Sequence, residues 1–170
     1  MKSLQARLQS IEGKRIRLQH RVSAVGADVV AARPAPGRWS IHEVVEHLVL
    51  SERAVFGSLE ALTQRTPRER SLRNRVLYWV VMCVLRFDSP VKVPTAAMRP
   101  EGASRMEELW PQWEASHSAL RRWVKAADAR MQRQALFSHP VAGPMPMADT
   151  LRMLEVHLDR HTRQIDGILS

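Results

Sequence analysis

The chain has a single cysteine, Cys83. One thiol excludes an intrachain disulfide and fits a reducing, cytoplasmic setting. Within the apolar run Val76 to Leu85 it reads as a small buried hydrophobe. A reactive thiol would need an electropositive, accessible setting. No apolar run is longer than this one, and it is too short to cross a bilayer, which takes about 20 residues. The stretch Met1-Lys2-Ser3-Leu4-Gln5-Ala6-Arg7 has no uninterrupted apolar core, so no signal peptide is expected. Strand-like alternation of useful length is missing, and so is any repeat with a period of roughly 20–50 residues. The formal net charge is +9, yet no block of consecutive Lys and Arg occurs. The dispersed cations and the lack of a nucleic-acid motif point to a solvated basic surface and no specific nucleic-acid partner. Peripheral attachment to acidic membranes through Arg68, Arg70, Arg73 and Arg75 is the weaker electrostatic alternative.

What is present is helical periodicity. With 45% apolar residues in 170, the chain can bury a substantial core as one domain over residues 1–170. Leu4, Leu8, Ile11, Leu18, Val22, Val25 and Val29 recur at steps of three and four, interrupted only at Arg15, which predicts a helix over about 3–31. Pro34, Pro36 and Gly37 mark a connector. Ser40-Ile41-His42-Glu43 is a capping-box pattern opening a second helix, with Ile41, Val44, Val45, Leu48, Val55, Leu59 and Leu62 as its apolar face. Glu52 lies near the middle of that face, where a carboxylate needs a partner: a functional group, or a bond to a neighbouring helix.

A third helix is predicted over about 67–86, apolar all round in its second half. Such a helix is buried on several sides or forms an oligomer interface. Residues 87–103 form a long loop, residues 104–127 a fourth helix, and residues 147–169 the last. A loop with His139, Pro140, Gly143, Pro144 and Pro146 precedes that last helix. The expected fold is all-α: a four-helix bundle with an additional short apolar helix.

The last helix carries the chemistry. His157 and His161 are four residues apart, one above the other, on the side of Leu154, Leu158 and Ile165. Imidazoles turned toward a core are hydrogen-bonded or bound to something, and an i, i+4 pair can offer two nitrogens to one divalent metal. A catalytic metal needs a third protein ligand. His47, on the edge of the second helix's apolar face, is the best placed; His117 competes as an extension of the Met106, Trp110, Trp113 series. His139 sits in a loop and could approach either, while His42 points to the polar side of its helix and Glu46 follows that side.

Three segments give a resemblance. Pro36-Gly37-Arg38-Trp39-Ser40-Ile41-His42-Glu43-Val44-Val45-Glu46-His47-Leu48, His139-Pro140-Val141-Ala142-Gly143-Pro144 and His157-Leu158-Asp159-Arg160-His161-Thr162-Arg163-Gln164-Ile165 are similar, in order, to the DinB/YfiT-like superfamily. Lys92-Val93-Pro94 adds to it. The resemblance implies a four-helix bundle with a divalent transition metal (Zn, Ni, Fe or Mn) held by His47, His157 and His161. It implies a metal-dependent hydrolase, or a transferase that joins a low-molecular-weight thiol to a small-molecule substrate. Arg38, Lys92 and Arg160 are candidates for holding an anionic thiol; Glu52, His139 and Gln164 are candidates for the pocket or for orienting a ligand. A homodimer is expected through the apolar third helix. The competing class is a non-catalytic basic bundle with a structural or vestigial histidine cluster. Met145-Pro146 departs from the Ser or Thr that often caps the last helix in relatives.

Overall fold

The computed structural model describes residues 3–56, 59, 68–87 and 95–170. Leu62 and Lys92, both named above, lie outside them. Four long helices make the bundle: α1 (Leu4–Ser23), α3 (Ile41–Phe56), α5 (Met106–Ala126) and α7 (Met147–Leu169). Shorter elements join them: α2 (Ala27–Ala31), α4 (Leu72–Arg86), a 3-10 turn (Ala96–Met98) and α6 (Ala129–Arg133). Two three-residue strands, β1 (Phe137–His139) and β2 (Gly143–Met145), complete the described chain. This is an all-α bundle with α4 added outside. No helix among the described residues is long and apolar enough to cross a membrane.

The expected periodicity packs the core. Leu8, Ile11, Leu18 and Val22 of α1 meet Val44, Val45 and Leu48 of α3, Leu109, Trp113 and Leu120 of α5, and Leu151, Leu158 and Ile165 of α7. The interruption at Arg15 is a buried guanidinium bonded to Glu12 and Glu114, which is how a charge is tolerated there. Ser40 and Glu43 form the expected reciprocal cap: Glu43 N–H donates to Ser40 Oγ at 3.2 Å, and Ser40 N–H to Glu43 Oε2 at 2.9 Å.

Three expectations need correction. The first helix does not run to residue 31: it ends at Ser23, and a new short helix starts after Gly26. The break rotates the face, so Val30 is buried and Val29 is 48% exposed. The loop before the last helix contains an antiparallel hairpin pairing Phe137 with Met145 and His139 with Gly143. Pro144 and the shortness of its strands hid the alternation.

The third correction concerns α4, which starts at Leu72 rather than near residue 67; of the two readings of its apolar half, burial on several sides is the one overturned. Tyr78 and Met82 pack with Ala142, Met145 and Met153, while Leu72, Val76, Trp79, Val80 and Phe87 stay exposed. Cys83 lies exposed on that outer side, not buried as expected. The apolar run exceeds what one packing surface can cover.

Candidate metal centre

His157 and His161 project from α7, and His47 from α3, which packs against it. One ring nitrogen from each of the three lies within 4.8 Å of the other two. His157 Nε2 is 3.3 Å from His47 Nε2 and 3.1 Å from His161 Nε2. Trp39, just before α3, walls the cluster, with its ring centroid 4.9 Å from that of His47 and 6.4 Å from that of His161.

The other ring nitrogens settle the tautomers. His47 Nδ1 is 2.7 Å from the carbonyl oxygen of Met98, which can only accept, so Nδ1 carries the proton. His161 Nδ1–H donates to Gln164 Oε1 at 2.9 Å. In both rings the Nε2 lone pair is left for the common point. A single proton on His157 Nε2 can bridge to only one of them. Three imidazole nitrogens around one point at these spacings suit a cation: bonds of about 2.0–2.1 Å in tetrahedral geometry place ligand nitrogens about 3.3 Å apart.

Electrostatics favour the neutral, ligating form. Burial lowers the His47 pKa against the opposing hydrogen bond to Met98, and the Arg160 charge adds a smaller lowering. His157 falls well below its ordinary value, first through burial and then through the charges of His161, His47, Arg160 and His139. Neutral imidazole is the form that binds a metal.

Support for His47 comes from a loop. Glu46, expected on the polar side of its helix, is buried. It accepts from the backbone N–H groups of Glu101 and Gly102 at 3.0 and 2.7 Å, and from Ser104 Oγ at 2.9 Å. His42 adds a ring N–H donated to Ser104 O at 2.6 Å. The loop so held follows the 3-10 turn whose Met98 carbonyl meets His47. Sequence reasoning missed Glu46, Met98 and the part played by Trp39; proximity of Glu46 to His47 was the available signal for one of them.

The remaining candidates divide. Gln164 orients His161, as described. His139 is not in the cluster. Its Nδ1 accepts from the N–H groups of Val141 and Ala142, both at 3.1 Å, so it closes the hairpin turn and keeps its proton on Nε2. Burial lowers its pKa. Glu52 is bonded to the neighbouring α5: His117 Nε2 donates to its Oε2 at 2.6 Å. His117 is therefore no competitor for the cluster, being held between Glu52 and Glu12, whose Oε1 lies 2.5 Å from its Nδ1. Its partners on both sides are carboxylates. Arg160 donates to the carbonyl of Val84 at 2.9 Å, tying the end of α4 beside the cluster. A cavity of about 1600 Å³ adjoins the three histidines and is also lined by Arg38, Glu52, His139, Arg160 and Gln164.

Bundle and site together define a class: a helical-bundle protein whose facing helices bring three histidines to one point beside a large cavity. The chain belongs to the DinB superfamily, whose family profile matches residues 10–165. Comparison with curated proteins and with solved structures gave no significant match.

Proposed function

We propose that His47, His157 and His161 hold a divalent transition metal and that the protein is a metal-dependent enzyme. The observation that carries this is the convergence of three Nε2 atoms while the Nδ1 protons of His47 and His161 are held by Met98 and Gln164. Among the described residues no fourth His, Cys, Asp or Glu joins the group, and the cavity adjoins it. That supports an open coordination position rather than a closed structural site. When bound, the metal supplies Lewis acidity to a water or a low-molecular-weight thiol, for a hydrolase or thiol S-transferase reaction.

The chain's own residues do the rest. Met98 and Gln164 fix the imidazole rings and tautomers. Trp39 closes one side of the cluster, and the cavity receives the small-molecule substrate. Arg38 and Arg160 bring positive charge to its wall, which suits an anionic thiol. The exposed stripe Leu72, Val76, Trp79, Val80 and Phe87 supports the further reading of a homodimer through α4. The single cysteine supports a cytoplasmic setting.

Elemental analysis of untagged protein, with zinc, nickel, iron and manganese titrations, tests the metal. One metal per chain is expected. His161→Ala should lower affinity more than about 100-fold, beyond the upper end of what losing an orienting partner costs. No stoichiometric metal, or an unchanged affinity in His161→Ala, would overturn the reading. Loaded protein assayed with ester panels, and with thiol plus electrophile, separates the two chemistries.

A further inference from the structure

His139 ends β1, and the alternation of that strand sets the direction of its ring. Phe137 is buried, Ser138 is exposed and His139 returns to the Phe137 side. That side faces α3, where the Phe137 ring meets Phe56 with centroids 6.1 Å apart. Phe56 and His139 both line the cavity that adjoins the three histidines. On α7, His157 feels the charge of His139, so the ring stands near the cluster without joining it.

The two ring nitrogens have separate tasks. Nδ1 accepts from the N–H groups of Val141 and Ala142, both at 3.1 Å, so the proton sits on Nε2. Nε2 points away from the turn. It meets no acceptor among the described residues, yet it is not one of the unpartnered polar atoms shut off from solvent, as Tyr78 Oη and Glu52 Oε1 are. A donor so placed is open to an acceptor that enters the cavity.

Closing the turn does not account for an imidazole. An Asn or Asp at this position would offer its side-chain oxygen to the same two N–H groups. What histidine adds is reach, and an N–H on the far side of the ring. Burial lowers its pKa, so the ring is neutral and its donor suits an uncharged acceptor. An anion is better served by Arg38, Arg99 and Arg160 on the same wall.

We propose that His139 Nε2–H is the recognition donor of this cavity, taking the carbonyl oxygen of a small uncharged molecule, an ester or a ketone. That assignment rests on the cavity being a ligand site, as read above, and not on the metal.

Acetophenone and α-methylstyrene have nearly the same shape; the first carries a carbonyl oxygen where the second has a methylene. Each is titrated into histidine-labelled protein, metal-free and zinc-loaded, and followed through the His139 nitrogen resonances. Acetophenone is expected to move the Nε2 signal, and α-methylstyrene to leave it nearly in place. His139→Asn keeps an acceptor for the turn and removes the donor. It should weaken acetophenone binding roughly three- to tenfold, as the loss of one neutral hydrogen bond implies, and leave α-methylstyrene unchanged. His139→Asp serves where His139→Asn fails to fold. An Nε2 signal unmoved by acetophenone, or equal changes for both probes in the folded variant, would overturn the proposal alone. Binding of neither probe to the wild type would overturn it together with the reading of the cavity as a ligand site. Zinc titration of the same samples keeps the metal apart: loss of zinc binding with the His139-dependent difference intact would sink the metal reading alone.

Discussion

The carbonyl of Met98 takes the Nδ1 proton of His47 at 2.7 Å, and it does so from a loop that Glu46 holds in place. Adjacent residues on α3 thus divide the work: His47 faces the cluster, and Glu46 anchors the segment that orients it. Glu46→Ala leaves the N–H groups of Glu101 and Gly102 without their acceptor and frees Met98 to move. Zinc affinity should fall roughly 10–100-fold, the range for losing an orienting partner, while circular dichroism keeps its helical form. Competition with a chromogenic chelator measures it.

Gln164 offers a milder version of the same test. Gln164→Leu removes the acceptor of the His161 Nδ1 proton but leaves all three imidazoles. Affinity should drop by about tenfold, well short of the loss in His161→Ala. Calorimetric titration of both variants with zinc sets the order.

The Glu12–His117–Glu52 group makes stability depend on pH. Burial alone would lower the His117 pKa, but the Glu52 charge and the hydrogen bonds to Glu12 and Glu52 outweigh it and raise the value from 6.5 to about 9. A raised folded value means the contribution is complete below pH 6.5, declines from there, and is gone above about 9. Its full size is on the order of 3 kcal/mol, by linkage. The groups lowered within the same network act on the acid side: Glu12, although burial opposes it, is held below 4.5 by His117, Arg121 and Arg15, so its contribution is lost as pH falls under that value. Urea denaturation across pH 6 to 10 should show the alkaline decline, and His117→Gln should flatten it.

Gly143 has φ +70° at the hairpin turn, and an added Cβ would meet Asn74 Nδ2 at 2.3 Å. Asn74 cannot give way freely, because its Oδ1 accepts from Ser71 Oγ at 2.7 Å in the cap of α4. Gly143→Ala should cost about 1–3 kcal/mol from left-handed strain and the clash together. Chemical denaturation measures the loss.

The exposed stripe of α4 gives a last test. If Trp79 and Val80 meet a second copy, Trp79→Glu should convert a dimer to a monomer in light scattering without a large loss of helicity. A wild-type monomer at high concentration would remove the homodimer from the proposal.

Much of the bundle was legible. Leu8, Ile11, Leu18 and Val22 announce a buried face because helical geometry repeats every three to four residues regardless of what packs on it. The Ser40–Glu43 cap and the shared face of His157 and His161 are likewise local, and the resemblance joined His47 to that pair. The break after Ser23 was not legible, since Val25 and Val29 continue the period across it. Nor was the exposure of Cys83, since an apolar run does not say how many of its sides find a partner.

The sequence by itself determined the four long helices of the bundle, the Ser40–Glu43 cap and the buried stripes of those helices, because these follow from interactions within a few residues. Tertiary structure alone decided which polar groups meet. Glu52 finds His117 across 65 positions, and His47 finds His157 across 110. Glu52 and His47 lie only five residues apart on α3, yet one closes a charge network and the other faces a metal-competent cluster. The partner is supplied by whichever helix packs against each side, and no local pattern encodes that choice.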